Sequence, residues 1–512
     1  MILVPLAEPP YAVLGFLGAA ARLPLRIFGM DSSFTRKPGE SAQRTNMLRL
    51  LPMTTVHKRT LVVDGITPVS AYGTLRKRAE GGSFLLESVI PGERWGRFSI
   101  LGYRPRRQVL VYAQPGQDPF EELARQIPTG KLSPEDVAER FATAFVGVVD
   151  YDVVHTATKV DPWPQSDKRA PIARLIGGAT IIVFDNLTHT ATLIAEDAAA
   201  LDRAEHDLHN LDPLRPMSPP DPNALPTDID VNMSDAEFEQ GVERIKEYIR
   251  AGDAFQVVYA RTFSTPVGNA DPFDVYRSLC VLSPAPYMYL LELPEQDGAP
   301  RIAIAGASPE TLVRVEGRQM TVRPIAGTRR RGRTPEEDAA LAAEMLADPK
   351  ERAEHVMLID LARNDVGRVA KPGTVVMPMQ MQVERYSHVM HIVSEVTGEV
   401  DVSKGAWDVL RAAFPAGTLS GAPKVRAMQI IRELEKRPRG VYGGAIGYVT
   451  QGLDLDFAIA IRTVVMQNGR FEVTAGAGIV ADSVPLLESK ETRNKARAAL
   501  ASVHAAREQQ RG

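Results

Sequence analysis

The chain has 512 residues, 44% of them hydrophobic, so it can bury a large core, and its length suggests more than one structural unit. Its 60 basic and 63 acidic residues are interspersed and give a formal net charge of -3, which excludes the basic surface by which proteins bind nucleic acid. Cys280 is the only cysteine, which excludes an internal disulfide and a cysteine-based zinc cluster and agrees with a reducing, cytoplasmic location.

The first 52 residues are predicted to lie outside the folded part of the protein. Their opening segment is apolar, but no Lys or Arg precedes Arg22, and Pro5, Pro9 and Pro10 leave it too short for a bilayer helix of about 20 residues. The segment therefore matches neither a signal peptide nor a membrane anchor. We expect residues 1–52 to be a disordered extension, or to precede the true start of translation.

Two domains are predicted from the pattern that follows. Residues 53–211 mix short β-like runs, such as SFLLESVI and TIIVF, with helical segments such as SPEDVAERFATAF. Residues 212–230 are rich in proline and have no apolar stripe, which indicates a semi-extended linker. Residues 231–512 form the second domain, and its first helix begins at a capping box of Ser234 and Glu237.

The second domain alternates strands with helices. Short glycine-bearing turns join its paired strands, as in MQNGRFEV, and such turns indicate antiparallel pairing. The sequence contains no phosphate-binding glycine loop and no repeat of solenoid period. We therefore predict an α+β fold of largely antiparallel sheets packed with helices.

Two distant helices each carry a carboxylate that could bind a metal ion. Glu354 begins the apolar stripe of a predicted helix over 351–368, and Glu491 lies near the start of a C-terminal helix. Alone, Glu354 is explained by a solvent-exposed ion pair with Lys350. Together, the two glutamates would suit Mg2+, which prefers a few carboxylates, several waters and an anionic substrate.

Arg462 interrupts the apolar run DFAIAIRTVVM, which is predicted to be one strand buried on both faces. A buried guanidinium needs an anionic partner to offset its desolvation. That partner is either an internal carboxylate or the carboxylate of a substrate held by the guanidinium fork. The pattern leaves both interpretations open.

Three further stretches could carry chemistry. Small residues in PIAGTRRRG and TAGAGIV let a backbone approach a ligand closely, although glycine in loops is also ordinary turn chemistry. His388 and His391 lie three residues apart; the simplest interpretation is one surface and one packed histidine, and an acid/base role needs a site beside them. In AGTLSGAPKVRAM, Ser420 is predicted to cap a helix whose N-terminus could bind an anion.

These stretches resemble a known enzyme family. The motifs that carry the resemblance are, in chain order, LLES, PAPYM, GASPE, RPIAGTRRRG, EHVMLIDLARND, RYSHVMH, GTLSGAPKVRAM, YGGAIGY, IAIRT, AGAGIV and ESKETRNKA. They resemble the chorismate-utilising enzymes, and among these the anthranilate synthase component I family most closely. The resemblance is specific because so many long motifs occur in order. It implies a chorismate-binding α+β domain behind a smaller N-terminal domain, and a requirement for Mg2+.

The resemblance also implies roles for individual residues. Glu354 of EHVML and Glu491 of ETRNK resemble the Mg2+ ligands. The catalytic positions match His391 of SHVMH, Glu310 of GASPE, beside the departing ring hydroxyl, and Thr418 of GTLSG. The chorismate-binding positions match Gly327 and Thr328 of PIAGT, Tyr442 of YGGA, Arg462 of IAIRT, and Gly476, Ala477 and Gly478 of AGAG.

The implied activity is a carbon–oxygen lyase reaction of tryptophan biosynthesis, in which chorismate and ammonia give anthranilate and pyruvate. Ammonia adds at ring C2 while the C4 hydroxyl leaves with help from Glu310, and His391 assists the later loss of the C2 proton and pyruvate. Relatives that attack with an enzyme amine, or that activate water, carry a lysine where this chain has Ala326 or Gln256. Because this chain has neither lysine, the site suits free ammonia as the nucleophile.

The resemblance further implies a partner subunit. A glutamine amidotransferase needs a nucleophilic cysteine on a tight, glycine-flanked turn, and Cys280 has no such setting. Ammonia is therefore expected from a separate glutamine amidotransferase subunit.

Feedback inhibition by tryptophan is the last implied property. An apolar pocket with an aromatic wall and a polar rim suits an indole amino acid. Ser283 stands where many relatives have Asn, which leaves the strength of inhibition open. The residues that resemble the tryptophan site are Glu87, Ser88, Pro286, Tyr287 and Met288.

Three alternatives remain at this point. An aminodeoxychorismate synthase would give a para-amino product in place of anthranilate. A tryptophan-binding regulatory subunit with a decayed site would not turn chorismate over, although the complete set of Glu354, His391, Arg462 and Glu491 argues against it. The third alternative is a membrane anchor at the N-terminus. It would be excluded if deletion to Met47 left solubility and activity unaltered.

Overall fold

The structure is a computed structural model that describes residues 56–88, 97–114, 116–130, 137–163, 170–386 and 389–510. The predicted extension over residues 1–52 lies outside these described residues, and so does His388 of the predicted histidine pair.

Antiparallel strands form most of the framework. In chain order they are His57–Val62 (β1), Ser83–Glu87 (β2), Phe98–Tyr103 (β3), Arg107–Tyr112 (β4), Phe145–Val149 (β5), Pro171–Gly177 (β6), Thr180–Asp185 (β7), Thr190–Ala195 (β8), Asp230–Val231 (β9), Gln256–Pro266 (β10), Tyr287–Leu293 (β11), Ile302–Ser308 (β12), Thr311–Glu316 (β13), Gln319–Val322 (β14), Ile325–Arg330 (β15), Val376–Arg385 (β16), Val389–Glu399 (β17), Gly421–Ala422 (β18), Ala445–Val449 (β19), Leu455–Ile459 (β20), Thr463–Gln467 (β21) and Arg470–Ile479 (β22).

Helices cover the outer faces of the sheets. They are Pro68–Leu75 (α1), Pro119–Gln126 (α2), Val137–Phe141 (α3), Val154–Ala157 (α4), Ala198–His209 (α5), Asp235–Arg250 (α6), Pro272–Leu282 (α7), Pro335–Ala347 (α8), Pro349–Gly367 (α9), Ala406–Ala413 (α10), Gly417–Ser420 (α11), Lys424–Leu434 (α12) and Pro485–Gln509 (α13), with short 3-10 helices at Arg76–Arg78 and Tyr151–Val153. Within the described ranges, no helix is both long and apolar enough to cross a bilayer.

The strands form two sheets. The first has the order β1-β8-β7-β3-β2-β11-β12-β21-β22-β10-β18, with β9 beside β10. The second has the order β15-β17-β14-β13-β20-β19-β5-β6-β4, with β16 beside β17. Neighbouring strands of the described part pair antiparallel, as in β11 with β12 and β19 with β20. This arrangement confirms the predicted α+β fold.

The core has three main layers of buried side chains. One lies between the two sheets and draws on residues such as Phe84, Val146, Tyr289 and Ile446. A second packs the outer face of the first sheet against α1, α5, α7 and α13. A third packs the second sheet against α2, α4, α9, α10 and α12. Burial of these apolar faces is the main stabilising term for such a fold.

Both sheets contain strands from either side of the predicted linker. β2 lies between β3 and β11, and β5 lies between β6 and β19. Residues 212–229 contain neither helix nor strand, and β9 follows at Asp230. Residues 53–512 cluster as one compact unit. The division into domains at 212–230 stays a prediction, but the sheets themselves continue across it.

Predictions that depended only on residues close together in the sequence are confirmed by the structure. The capping box is present at the start of α6, where Ser234 accepts from the N–H of Glu237 and the Glu237 side chain accepts from the N–H of Ser234. The predicted helix over 351–368 is α9, and the predicted C-terminal helix lies within α13.

Two local predictions were wrong. The run DFAIAIRTVVM is not one strand: it forms β20 in the second sheet and β21 in the first, with Arg462 at the turn between them. Ser420 does not cap α12. It ends α11, its hydroxyl donates to the carbonyl of Ala416, and Pro423 is the N-cap residue.

Candidate active site

The predicted metal ligands lie on α9 and α13. Glu354 is half-buried, and burial raises the pKa of its carboxyl, as do the nearby charges of Glu351 and, more weakly, Glu491. Gln256, at the start of β10, donates its amide N–H to Glu354 over 3.4 Å. The structure therefore brings Glu491 close enough to Glu354 to act on its ionisation.

Glu488 is an acidic residue of this region that the sequence analysis did not single out. It lies one turn before Glu491, and burial raises the pKa of its carboxyl, with a further rise from Glu491 and opposing effects of Lys350 and Lys495. The available signal was the spacing of two glutamates, three residues apart on one helix. The N-terminal ends of α9 and α13 therefore lie near each other.

This donor set fits a hard divalent cation. Crowded carboxylates at half-buried positions repel one another, and a cation between them relieves that repulsion. Gln256 adds a buried amide oxygen that finds no hydrogen-bond partner in the described part of the chain. In the part of the chain that the structure describes, no three His, Cys, Asp or Glu side chains form a closed metal cage. Mg2+ suits such an open set, because it keeps several water and substrate oxygens among its ligands.

Arg462 places a half-buried guanidinium at the turn between β20 and β21. Its backbone is left-handed, with φ of 50°. Burial lowers the pKa of its guanidinium, and the charge of Glu310 raises it. Among the described residues, none pairs with this guanidinium through a hydrogen bond or a salt bridge. The internal carboxylate considered from the sequence is therefore not found there, and the guanidinium can receive an anion.

Glu310 and Thr418 form a hydrogen-bonded pair. Glu310 lies in the turn between β12 and β13, and the Thr418 hydroxyl donates to its Oε1 over 2.9 Å. Burial raises the pKa of Glu310 to about 7, although Thr418, Lys495 and Arg462 oppose the rise. Near neutral pH this carboxyl therefore carries a proton in a large fraction of molecules and can act as an acid.

His391 on β17 faces the bulge of β15. Its Nδ1 lies 2.9 Å from the carbonyl oxygen of Gly327 and 3.1 Å from the hydroxyl of Thr328. A carbonyl oxygen only accepts, so we assign the ring proton to Nδ1 and leave Nε2 as the basic nitrogen. Burial lowers the pKa of His391, and Arg462 lowers it further. The imidazole is thus neutral and suited to accept a proton.

Glycines at the centre of the site leave room beside the strands. A Cβ on Gly476 of β22 would lie 2.8 Å from the hydroxyl oxygen of Tyr442, and one on Gly478 would lie 2.7 Å from the amide nitrogen of Gln256. Ala477 between them is fully buried in the cluster that includes α6 and α12, so its side chain points away from these contacts.

Lys495 is the second residue that the sequence analysis did not single out. Its ammonium lies 2.7 Å from Glu491, donates to the carbonyl of Gly476 over 3.0 Å and lowers the pKa of Glu310. Its position four residues after Glu491 on one helix face was the available signal. Through these contacts the predicted metal, substrate and catalytic residues form one connected group.

The residues that resemble a tryptophan site also come together. Strand β2 pairs with β11, with Glu87 opposite Met288. Tyr276 donates to Glu87 over 2.6 Å, and burial raises the pKa of that carboxyl. The hydroxyl of Ser88 is buried and has no hydrogen-bond partner among the residues that the structure describes. The set therefore lies where β2 ends and the neighbouring β11 begins; it comprises Glu87, Ser88, Pro286, Tyr287 and Met288.

Cavity size alone does not locate the site. A cavity of about 320 Å³ lies among α2, α4, α10 and α12, and none of the predicted site residues lines it. A smaller cavity of about 40 Å³ is lined by Glu310 and Thr418. The connected charged groups, rather than the larger cavity, mark the place where the predicted chemistry is assembled.

Comparison with known sequences identifies the family of the chain. A family model described as "chorismate binding enzyme" matches residues 87–501. Anthranilate synthase component 1 from Mycolicibacterium smegmatis is 42% identical over 475 residues, covering 88% of this chain and 90% of that protein. The protein of the same name from Pseudomonas putida is 42% identical over 472 residues, covering 86% of this chain and 94% of that protein.

Comparison with solved structures gives the same fold. The crystal structure of anthranilate synthase component I from Streptococcus pneumoniae matches with a TM-score of 0.68 and 34% identity, covering 86% of this chain and 99% of that chain. The menaquinone-specific isochorismate synthase from Escherichia coli matches with a TM-score of 0.67 at 18% identity, covering 88% of this chain and 94% of that chain, a likeness of fold alone.

Proposed function

The chain belongs to the chorismate-binding enzymes and is an enzyme of the anthranilate synthase component 1 type, and from this membership we propose that it converts chorismate and ammonia into anthranilate and pyruvate. Ammonia enters at C2, the C4 hydroxyl leaves as water, and the enolpyruvyl group leaves as pyruvate. One observation carries the proposal: Glu310, with a pKa of about 7, lies beside the guanidinium of Arg462, which has no ion-pair partner in the described part.

Chorismate is a dianion, and the site offers cations for it. Arg462 would receive one carboxylate, because its half-buried guanidinium otherwise lacks the anion that offsets desolvation. Lys495 adds a second positive charge near Glu310. Gly476 and Gly478 leave the backbone of β22 accessible where side chains would collide with Tyr442 and Gln256. The substrate would therefore lie between β22 and the turn at Arg462.

Glu354 and Glu491 are proposed to hold Mg2+, with Glu488 beside them. When bound, Mg2+ supplies positive charge that binds and orients the ring carboxylate of chorismate. The protein's own contribution is to keep two partly buried carboxylates on separate helices at one place. A cation there would relieve the repulsion between the two carboxylates, which Lys495 offsets at Glu491 alone.

Glu310 is proposed to be the acid that protonates the departing C4 oxygen. Its Oε1 already accepts the Thr418 hydrogen bond, so we assign its proton to Oε2. His391 is proposed to be the base in the elimination. With Nδ1–H donated to Gly327, the neutral ring presents Nε2 to the C2 proton. The two groups thus have opposite proton states at neutral pH, as an acid–base pair requires.

Free ammonia is proposed as the nucleophile. Ala326 and Gln256 occupy the two places where the relatives described above carry a lysine, and both lie next to site residues, Gly327 and Glu354. A para-amino product from this chain would contradict the proposal and favour the aminodeoxychorismate synthase alternative.

A separate glutamine amidotransferase subunit is proposed to supply the ammonia. Cys280 is the only cysteine, and burial raises the pKa of its thiol to about 12, so it is not a thiolate at neutral pH. Tryptophan is proposed to inhibit from the site on β2 and β11. The buried hydroxyl of Ser88, which has no partner within the described ranges, supports a polar ligand there.

Anthranilate fluorescence from the purified chain tests the proposal. We expect product with chorismate, Mg2+ and ammonium, and none with EDTA or with glutamine as the only nitrogen source. Arg462→Gln should lower kcat/KM about 100-fold, because a buried charge pair would be lost. Arg363→Gln, an exposed arginine on α9, is the matched control and should behave like the wild type. A wild-type chain that forms no anthranilate under these conditions would contradict the assignment.

A further inference from the structure

Two tyrosines on one strand reach across the core toward the site. Tyr287 and Tyr289 are two residues apart on β11, so they lie on one face of the first sheet, toward the second. Tyr289 is 2% exposed and pairs across the strands with Gly306. A Cβ on Gly306 would lie 2.2 Å from the Tyr289 ring. Glycine opposite the ring therefore makes room for this tyrosine.

Each tyrosine hydroxyl forms a hydrogen bond with a threonine, and each threonine directly follows a candidate-site residue in the sequence. The Tyr289 hydroxyl lies 2.7 Å from Oγ1 of Thr463, next to Arg462. The Tyr287 hydroxyl lies 2.8 Å from Oγ1 of Thr311, next to Glu310, but it also bonds Asp456. Of the two, Tyr289 alone has the threonine as its single side-chain partner among the described residues, so its link is the simpler one to test.

The direction of the Tyr289 hydrogen bond follows from its neighbours. Thr463 donates its hydroxyl hydrogen to the carbonyl of Ile461 over 2.9 Å. A hydroxyl has one hydrogen to donate, so Tyr289 must be the donor to Thr463. The resulting chain of hydrogen bonds runs from Tyr289 through Thr463 to Ile461 and closes around Arg462 from both sides.

Arg462 needs such support because its backbone is left-handed. A non-glycine residue with φ near 50° is held at a cost of about 1 kcal/mol or more, and persists where its surroundings determine it. Its own carbonyl accepts from the N–H of Ala307 over 3.2 Å. The Tyr289–Thr463–Ile461 chain is a further, side-chain restraint on the turn.

We propose that Tyr289 is a positioning residue for Arg462: through Thr463 it holds the turn that presents the guanidinium to a substrate carboxylate. The inference rests on the proposed function in one respect, that Arg462 binds a carboxylate of chorismate. Tyr289 itself does not touch substrate. It follows that loss of its hydroxyl weakens chorismate binding while the acid and base stay in place.

Tyr289→Phe tests the proposal, because it removes the hydroxyl and keeps the ring. We expect the KM for chorismate to rise about 5- to 10-fold, the effect of one hydrogen bond, with kcat changed less than about 2-fold and the KM for ammonium unchanged. Tyr72→Phe is the matched control: its buried hydroxyl bonds Ser83 and Glu292 in the same sheet, and it should leave the KM for chorismate unchanged.

Variants of Thr463 test the same link from its other end. Thr463→Val should raise the KM at least as much as Tyr289→Phe, Thr463→Ser should behave like the wild type, and the Tyr289→Phe/Thr463→Val double variant should match Thr463→Val alone. Additive effects, or an unchanged KM in Tyr289→Phe or in Thr463→Val, would overturn the positioning role. An inactive wild-type chain would contradict the proposed function instead, so the two failures are distinguishable.

Discussion

Glu310 is the side chain whose proton state should control the reaction. An acid with a pKa of about 7 is protonated below that pH, so the alkaline fall in kcat/KM should reflect its loss. Glu310→Gln should lower kcat at least about 100-fold, the usual contribution of a general acid. Thr418→Val should shift the alkaline limb to higher pH, because the Thr418 hydrogen bond lowers the pKa of Glu310. A shift to lower pH would contradict this pairing.

The same carboxyl should limit stability at alkaline pH. Its pKa is raised from 4.5 to about 7 on folding, so folding favours the protonated form. Its contribution is most favourable below about pH 4.5 and is lost as pH rises toward 7. Above pH 7 the buried charge costs on the order of 3 kcal/mol. Glu310→Gln should therefore melt at a higher temperature than the wild type at pH 8, and the two melting temperatures should converge at pH 5.

Many residues of the candidate site could be predicted from sequence motifs, but those that look ordinary could not. Glu354, His391 and Arg462 stand out because charge or imidazole interrupts an apolar pattern. Glu488 and Lys495 lie on a helix that carries charged residues along much of its exposed side, where such residues are usually solvated. Only the position of α13 beside α9 and β22 reveals their contacts with the site.

At the level of elements, the tight packing of β22 against β10 can be tested at Gly476. An added methyl would meet the backbone carbonyl oxygen of Tyr259 at 2.9 Å, which cannot move without shifting β10. Gly476→Ala should lower the free energy of unfolding by about 1–3 kcal/mol and should lower kcat/KM at least about 10-fold. Gly367→Ala on α9 is the control, because its methyl would meet nothing within 4 Å, and activity should be retained. Equal stability and activity of the two variants would contradict close packing at Gly476.

The errors in predicting elements have a common physical cause. The chain crosses from the second sheet to the first at residues 460–462 without a glycine or proline, so local sequence gives no turn signal. The turn depends on contacts with β11 and β12, which are distant in sequence. By contrast, α6 was predicted accurately because its capping box and apolar stripe are all local.

For the molecule as a whole, the shared sheets predict that the two halves do not fold separately. A fragment of residues 231–512 would expose the edge of β11 left by β2 and the edge of β19 left by β5. We expect it to aggregate when produced alone, and co-production with residues 53–230 to restore soluble, active protein. Size-exclusion chromatography and anthranilate fluorescence are the measurements. A monomeric 231–512 fragment with cooperative unfolding would instead support an independent domain.

The interleaving of early and late strands has a consequence for synthesis. The first sheet contains both β1 and β22. It therefore stays incomplete until residue 479 has left the ribosome. At typical translation speeds the nascent chain presents open strand edges for roughly half a minute to a minute and a half. Codon choices that slow elongation ahead of β22 would prolong that exposure and reduce the yield of native enzyme without changing a single amino acid.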